Sequence, residues 1–196
     1  MRKQRQVFFL ILCVINASWG LLRVYKRSNE NLTSLDHSKL LGRWYLFMDN
    51  RNSTVRDNTF GDFEPTSDGK LLNHLYRYFP NTQECRSTSL LFQPLSSDPS
   101  SEHAVEFEVI RMSNKEVLGK QKVLYINDDK ERGFVIMHQE SNQMNTYLVA
   151  TRSKTPSGQQ QPINNALINL NLDQNELKVK STDYGCETNT ERGFEF

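Results

Sequence analysis

The side chains of this chain that could perform catalysis or bind a metal are few and widely spaced. They are His37, His74, His103, His138, Cys85, Cys186 and the neighbouring pair Glu106 and Glu108. No histidine belongs to a His-Glu-x-x-His helix, a nucleophile elbow or a phosphate-binding glycine loop. No Cys or His pair has the spacing of zinc ligands. We therefore predict that the protein is not an enzyme and needs no metal or other cofactor.

The N-terminal segment predicts a secretory signal peptide at residues 1–20. Arg2, Lys3 and Arg5 precede an apolar run at 7–15, and small residues follow up to Gly20. The run is shorter than the roughly 20 residues of a membrane-spanning helix. We therefore expect a secreted, extracellular protein without stable membrane insertion. The remaining chain carries 21 basic and 23 acidic side chains, so its weak net charge argues against nucleic-acid binding.

An extracellular location changes the expected state of the cysteines. Cys13 lies in the predicted signal peptide, and only Cys85 and Cys186 follow it. Two cysteines in an oxidising compartment are expected to form one disulfide, with two free thiols as the alternative. The sequons at Asn31 and Asn52 are candidate glycosylation sites, which would place both segments at the surface.

The elements that must position these residues are short strands. After a polar lead-in, the strand-like runs are Leu41–Met48, Asn58–Glu64, Lys70–Phe79, Cys85–Gln93, His103–Met112, Gly119–Asn127, Gly133–Gln139 and Met144–Arg152. Turn residues separate the runs and no helix lies between them, which predicts an antiparallel meander. A parallel sheet is excluded because there is no room for crossover helices. Alternation alone fits a sandwich or a barrel, and a closed barrel has the advantage of no exposed edges.

The C-terminal part has a different pattern. Ile163, Leu167 and Leu170 recur at helical spacing, and Pro162 suits a first turn, so we predict one amphipathic helix at residues 160–172. It would pack against the outer wall of the sheet. The run at 177–180 predicts a short edge strand before Cys186.

Several of these features together resemble the lipocalin family over residues 36–187. They are Gly42-Arg43-Trp44-Tyr45 at the first strand, the eight-strand meander, Arg152 after the last strand, and a helix followed by Cys186. The part from Leu148 to Cys186 is most similar to the apolipoprotein D and insect bilin-binding branch. The resemblance implies an all-β fold: an eight-stranded antiparallel up-and-down β-barrel with one C-terminal α-helix packed outside. The expected organisation is a signal peptide at 1–20, a lead-in at 21–37, the barrel at 38–187 and a tail at 188–196.

Four residues match structural motifs of that family: Gly42, Trp44, Asp128 and Arg152. The indole of Trp44 is large enough to close one end of a barrel, and Gly42 allows close backbone approach beside it. The resemblance implies that Arg152 stacks over Trp44. Only Asp128 matches the family's middle Thr-Asp-Tyr motif. The family also includes members with a haem-binding histidine at the barrel mouth, for which His74 or His138 would be candidates, but a core or surface role is favoured.

Strand parity predicts the lining of the barrel. If Cys85 faces outward, Thr88, Leu90 and Phe92 face inward. The predicted ligand-binding residues are Leu46, Met48, Tyr76, Tyr78, Leu90, Phe92, Val105, Phe107, Val109, Val123 and Tyr125. Such an apolar lining suits a carrier of a small hydrophobic ligand of the fatty acid, sterol, retinoid, pheromone or bilin type. Alternatively, these side chains fill the barrel and leave no cavity.

A second function hypothesis is a secreted, non-enzymatic interaction protein. In that case the barrel is a scaffold, and its open-end loops bind a protein or a cell-surface receptor. The long polar segments Asp49–Thr59 and Leu95–Glu102 are the candidate loops.

Overall fold

One β-sheet, which closes on itself, forms most of the part of the chain that the structure describes. The computed structural model describes residues 32–51, 58–95, 104–141 and 144–186. The strands are β1 (Gly42–Asp49), β2 (Asn58–Pro65), β3 (Leu71–Phe79), β4 (Glu84–Pro94), β5 (Glu106–Arg111), β6 (Val117–Asn127), β7 (Phe134–Ser141), β8 (Met144–Thr151) and β9 (Lys178–Val179). The helix α1 (Gln160–Asn169) follows β8. The predicted signal peptide, the asparagines of both sequons and the predicted tail lie outside the described residues.

Antiparallel pairing joins each of the first seven strands to the next, and the pairing of β8 with β1 closes the ring. The first half of β1 pairs with β2, where Trp44 lies opposite Gly61, and its second half pairs with β8, where Leu46 lies opposite Ala150. The short strand β9 adds to the end of β1. The prediction of an eight-stranded antiparallel up-and-down barrel with one helix outside is therefore confirmed.

The alternating strand directions define two ends of the barrel. We call the end at which β1 begins the closed end, and the end at which β1 finishes, near Asp49, the open end. Leu95 and Ala104 flank the polar segment after β4, and both lie at the closed end because β4 finishes there. Three strands, β2 to β4, separate the end of β1 from the end of β4, so the described residues that flank Leu95–Glu102 lie at the rim opposite to the predicted one. The prediction of an open-end loop is therefore wrong for Leu95, and residues 96–102 lie outside the described part of the chain.

The helix packs outside the barrel, as its apolar stripe predicts. Ile163, Ala166 and Leu167 are buried against a cluster that includes Phe47 and Ile136 from the outer faces of β1 and β7. The helix ends at Asn169, earlier than predicted, and Leu170 remains only partly buried against the same cluster. Among the described residues, no helix is both long and apolar enough to cross a membrane.

The C-terminal segment covers the outer face of the barrel beside β2, β3 and β4. Cys186 is joined to Cys85 at the start of β4 by a disulfide with a Cα–Cα distance of 5.4 Å, which is the predicted pairing. The hydroxyl of Tyr184 donates a hydrogen bond to the carbonyl oxygen of Leu46 at 2.9 Å. Burial of this phenol raises the pKa of Tyr184. We call Tyr45, Phe60, Tyr76, Tyr78, Tyr184 and the disulfide the outer aromatic cluster.

The segment before β1 packs into the closed end. Leu35 is buried in the barrel core, and the Nε2 of His37 donates a hydrogen bond to the carbonyl oxygen of Ala104 at 2.9 Å. The His37 ring also lies 5.1 Å from that of Phe107. The packed region therefore begins before residue 38, where the barrel domain was predicted to start.

Candidate ligand-binding cavity

Trp44 and Arg152 seal the closed end. Trp44 is only 3% exposed, and its indole N–H donates to the carbonyl oxygen of Leu40 at 2.7 Å. The guanidinium carbon of Arg152 lies 3.6 Å from the centroid of the Trp44 ring. Its two terminal nitrogens donate to the carbonyl oxygens of Arg43 and Lys39, each at 3.0 Å. Burial lowers the pKa of Arg152 to about 10, so the guanidinium still carries its charge at neutral pH and supports a cation–π contact.

The other two predicted motif residues lie beside this contact. Gly42 has a φ of +87°, and a Cβ there would lie 3.3 Å from the Nη1 of Arg152, so both backbone conformation and space favour glycine. Asp128 pairs with Lys39 at 3.0 Å, and this pairing lowers the pKa of the Asp128 carboxyl. Because the pair is exposed, we expect it to contribute little to stability.

Aromatic and aliphatic side chains fill the interior above this floor. The Phe92 ring lies 5.1 Å from that of Phe63 and 6.0 Å from that of Phe107. Leu71, Val123 and Val135 complete the closed-end core. Such close packing fills the interior below Phe63 and Phe92, whose rings form the bottom of the cavity described next.

A cavity of about 320 Å³ occupies the remaining interior, toward the open end. Its volume lies near the lower limit of the range, about 300–1,000 Å³, that is usual for small-molecule sites. The apolar lining residues include Leu46, Phe63, Leu75, Leu90, Phe92, Val109, Leu118, Met137, Leu148 and Ala150. The side chains therefore do not fill the barrel, contrary to the alternative that the sequence left open.

Seven of the eleven predicted lining residues face the interior, at two depths. Leu46, Leu90, Phe92 and Val109 line the cavity. Val105, Phe107 and Val123 lie below it, in contact with the closed-end core, and so support the floor rather than the cavity wall.

Two of the other predictions, Met48 and Tyr125, are wrong because β-bulges reverse the parity of their strands. The register of β1 shifts between Leu46 and Met48, and Met48 packs outside against the helix cluster. The register of β6 shifts between Val123 and Tyr125. Tyr125 consequently lies on the outer face, 38% exposed, with its ring stacked on Phe134. A bulge adds one residue to a strand, so every later side chain changes face.

The predictions for Tyr76 and Tyr78 are wrong for another reason. Asn73, Leu75 and Arg77 of β3 line the cavity, so the alternate residues Tyr76 and Tyr78 face outward. Both tyrosines belong to the outer aromatic cluster, under the C-terminal segment. The two tyrosines of β3 are therefore on its outer face, where a distant part of the chain covers them.

Sequence analysis also missed the polar part of the lining. Asn73 and Gln121 are buried amides in the cavity wall, and the Nε2 of Gln121 lies 2.8 Å from the sulfur of Met137. Three arginines, Arg51, Arg77 and Arg111, line the cavity near the open end. No pattern in the sequence distinguishes these polar side chains from solvent-facing ones, because strand alternation predicts that polar residues point outward.

The described residues that could perform chemistry lie outside the cavity, and His103 is not among the described residues. His74 hydrogen-bonds to Ser89 at 3.0 Å on the outer face of β3, and His138 stacks on Tyr147 at 4.8 Å. Neither histidine therefore lies where the haem alternative requires it. Within the described ranges, no cluster of three or more His, Cys, Asp or Glu side chains could hold a metal ion.

The two glutamates have a structural explanation. Glu106 lies opposite Lys122, and Glu108 lies opposite Lys120, in the pairing of β5 with β6. Opposite charges in such cross-strand positions stabilise a sheet modestly. The glutamates therefore belong to a solvated outer face.

Comparisons with known proteins find similarity in fold only. No protein-family model matches the sequence, and a search of curated proteins finds no significant match. Among solved structures, the cockroach allergen Per a 4 matches with a TM-score of 0.58 and 12% identity, covering 75% of this chain and 88% of that chain. Apocrustacyanin C2 matches with a TM-score of 0.59 and 10% identity over 79% and 84% of the two chains. The tryptamine complex of the amine-binding protein of Rhodnius prolixus matches with a TM-score of 0.55 and 17% identity over 87% and 90%.

Proposed function

We propose, from the premise that this chain has the lipocalin fold, that it is a secreted, non-enzymatic protein that binds a small apolar ligand inside its barrel. The observation that carries the proposal is the cavity of about 320 Å³, open at one end and lined mostly by apolar side chains. The structural neighbours include two that are named as amine-binding proteins, which supports ligand binding in a barrel of this kind. Within the described residues, neither histidine nor cysteine lines the cavity.

The expected affinity follows from the apolar area that a ligand would bury. A ligand that buries roughly 300–400 Å² of apolar surface gains about 8–10 kcal/mol at ~25 cal/mol/Å². Loss of translational and rotational freedom offsets several kcal/mol of this gain. With a loss of about 4 kcal/mol, the net gain of about 4–6 kcal/mol corresponds to a dissociation constant between roughly 40 μM and 1 mM.

A pair of neighbouring leucines provides the test. Leu90 lines the cavity, whereas Leu91 lies on the opposite face of β4. We expect retinol or cis-parinaric acid to bind saturably with one-to-one stoichiometry, as measured by fluorescence titration. Leu90→Trp should weaken this binding at least about tenfold by filling the cavity, and Leu91→Trp should leave it nearly unchanged. Equal effects of the two variants, or no binding of any apolar probe, would contradict the proposal.

Secretion has its own support and its own experiment. A disulfide such as Cys85–Cys186 persists in oxidising compartments, and the N-terminal residues have the three parts of a signal peptide. Expression in eukaryotic cells should deliver the protein to the medium with an N-terminus near Leu21. Digestion with an N-glycosidase should lower its apparent mass if Asn31 or Asn52 is glycosylated. Retention of the full-length chain inside the cells would contradict secretion.

The interaction-protein hypothesis is retained for the open-end segment alone. Most of this segment, residues 52–57, lies outside the described part of the chain. The ligand titration separates the two functions, since a scaffold does not need saturable binding in its cavity.

A further inference from the structure

One polar atom in the cavity wall has no hydrogen-bond partner. The side-chain oxygen of Asn73 is buried without a partner among the described residues, and the residue as a whole is only 5% exposed. Gly61 makes room for this amide, because a Cβ at Gly61 would collide with the Asn73 oxygen. Burying a carbonyl oxygen without a donor is unfavourable, so such atoms are rare in folded proteins. A ligand whose hydrogen-bond donor reaches the Asn73 oxygen would remove this unfavourable free energy of burial.

The charges in the lining have one sign. Arg51, Arg77 and Arg111 are the charged residues of the described lining, and it contains neither Asp nor Glu. Arg111 is paired with Glu116 at 2.5 Å, on the loop after β5. Arg51 and Lys180 both contact the buried Asp49 carboxylate, at 2.5 and 3.2 Å, and the guanidinium carbon of Arg77 lies 5.1 Å from the centroid of the Phe79 ring. The open end of the cavity therefore favours an anionic group over a cationic one.

From these two observations we propose a chemical class for the ligand, and the inference rests on the proposed function. The cavity binds an acidic amphiphile: its carboxylate lies at Arg51, Arg77 and Arg111, and its apolar body carries a hydroxyl that donates to Asn73. A carboxylate is the natural partner of a guanidinium. The amine-binding neighbour of Rhodnius prolixus was solved with tryptamine, but an ammonium group would meet only like charges in the described lining of this cavity.

The spacing along β3 places the hydroxyl in the middle of the ligand. Asn73 and Arg77 are on the same inward face of this strand, four residues apart. At about 3.3 Å per residue, their Cα atoms are about 13 Å apart. A hydroxyl next to the carboxylate would remain among the arginines, whereas a mid-chain hydroxyl reaches the Asn73 oxygen. A hydroxylated long-chain fatty acid meets both requirements.

Oleic acid and ricinoleic acid test the hydrogen bond, because they differ only by a mid-chain hydroxyl. We expect ricinoleic acid to bind about threefold to tenfold more tightly than oleic acid, as measured by displacement of cis-parinaric acid. Asn73→Leu should abolish this difference by lowering the affinity for ricinoleic acid to that for oleic acid, and cooperative thermal unfolding should show that the variant is folded. Gln121→Leu is the matched control, since it removes another buried amide of the same cavity, and it should preserve the difference. Equal binding of the two acids to the unmodified protein, or loss of the difference only in Gln121→Leu, would overturn the role of Asn73.

Oleylamine tests the charge preference, because it has the same chain with a cationic head. Oleic acid should bind about tenfold more tightly than oleylamine at low ionic strength, and added salt should reduce the ratio. Arg77→Gln should lower the ratio, whereas Arg132→Gln, which removes an equal charge from the closed-end loop after β6, should not. Binding of the amine as tightly as the acid would overturn the acidic class. In that outcome the proposed function survives, because an apolar ligand still binds; it fails only if none of the three compounds binds.

Discussion

The closed and open ends of the barrel differ in where their stabilising contacts lie. At the closed end, Trp44, Arg152 and the phenylalanines of the core fill the interior, and each polar group of the Trp44–Arg152 contact has a partner. At the open end the interior contains a cavity, and the outer aromatic cluster and the disulfide cover the outside. Where the interior contains a cavity, the stabilising contacts lie on the outer surface.

The largest expected effect concerns the outer support of the open end. The Cys85–Cys186 bond closes a loop of 101 residues, and the chain-entropy model gives such a loop about 4–5 kcal/mol. Replacing both cysteines by serine should lower the free energy of unfolding by up to this amount in urea titrations. Reduction of the unmodified protein by dithiothreitol should reproduce the loss. A decrease below about 1 kcal/mol would show that the open end does not depend on this support.

Truncation of Trp44 at the closed end should lower the free energy of unfolding by as much as loss of the disulfide, or slightly less. Trp44→Ala removes a buried indole and should destabilise the fold by about 3–5 kcal/mol, measured by thermal or urea unfolding. Tyr125→Ala is the control, because this ring is 38% exposed on the outer wall. Tyr125→Ala should lower the free energy of unfolding much less than Trp44→Ala does. An unchanged melting temperature for Trp44→Ala would remove the distinction between a packed end and an open one.

Arg152, which stacks on Trp44 at the closed end, should contribute less to the free energy of unfolding than Trp44 does. Arg152→Lys retains the charge but loses the planar stacking on Trp44 and one of the two backbone hydrogen bonds. We expect a decrease in stability of about 1–2 kcal/mol. The exposed Arg132 offers the matched change Arg132→Lys, for which no measurable effect is expected. If the two variants are equally stable, the guanidinium geometry of Arg152 is unimportant.

The smallest expected effect, that of Asn73→Leu, is an increase in stability rather than a decrease. Asn73→Leu replaces an unsatisfied buried amide with an apolar side chain of similar size, so stability should stay unchanged or rise by about 1 kcal/mol. Thermal unfolding without ligand measures this directly. A loss of several kcal/mol would show that Asn73 stabilises the barrel, and the contrast between a stabilising closed end and a binding open end would then fail.

Local patterns were sufficient for the elements and for the floor. Strand alternation, turn residues and the helical spacing of Ile163 and Leu167 predicted the eight strands and the helix, because these patterns depend only on near neighbours in the chain. Gly42, Trp44 and Arg152 were identified through family resemblance, and the structure brings them together at the closed end. The signal peptide, the sequons and the similarity to the apolipoprotein D branch stay predictions.

The cavity lining could be predicted only in part, and β3 shows why. Both faces of this strand are partly apolar, and the parity rule was used to assign Tyr76 and Tyr78 to the interior. The rule failed because two conditions from elsewhere in the fold changed the environment of each face. The C-terminal segment, held by Cys186, buries Tyr76 and Tyr78 on the outside. The cavity leaves space for the side chains of Asn73 and Arg77 to face inward.

The amino-acid sequence by itself therefore determined the number and direction of the strands, the outer helix and the availability of one cysteine pair, since each follows from local preference or simple counting. Only the tertiary structure decided which face of β3 lines the cavity, where bulges reverse the parity of β1 and β6, and that the interior keeps an empty volume with arginines at its mouth. These features depend on contacts between residues far apart in the chain, and a pattern of near neighbours carries no information about them.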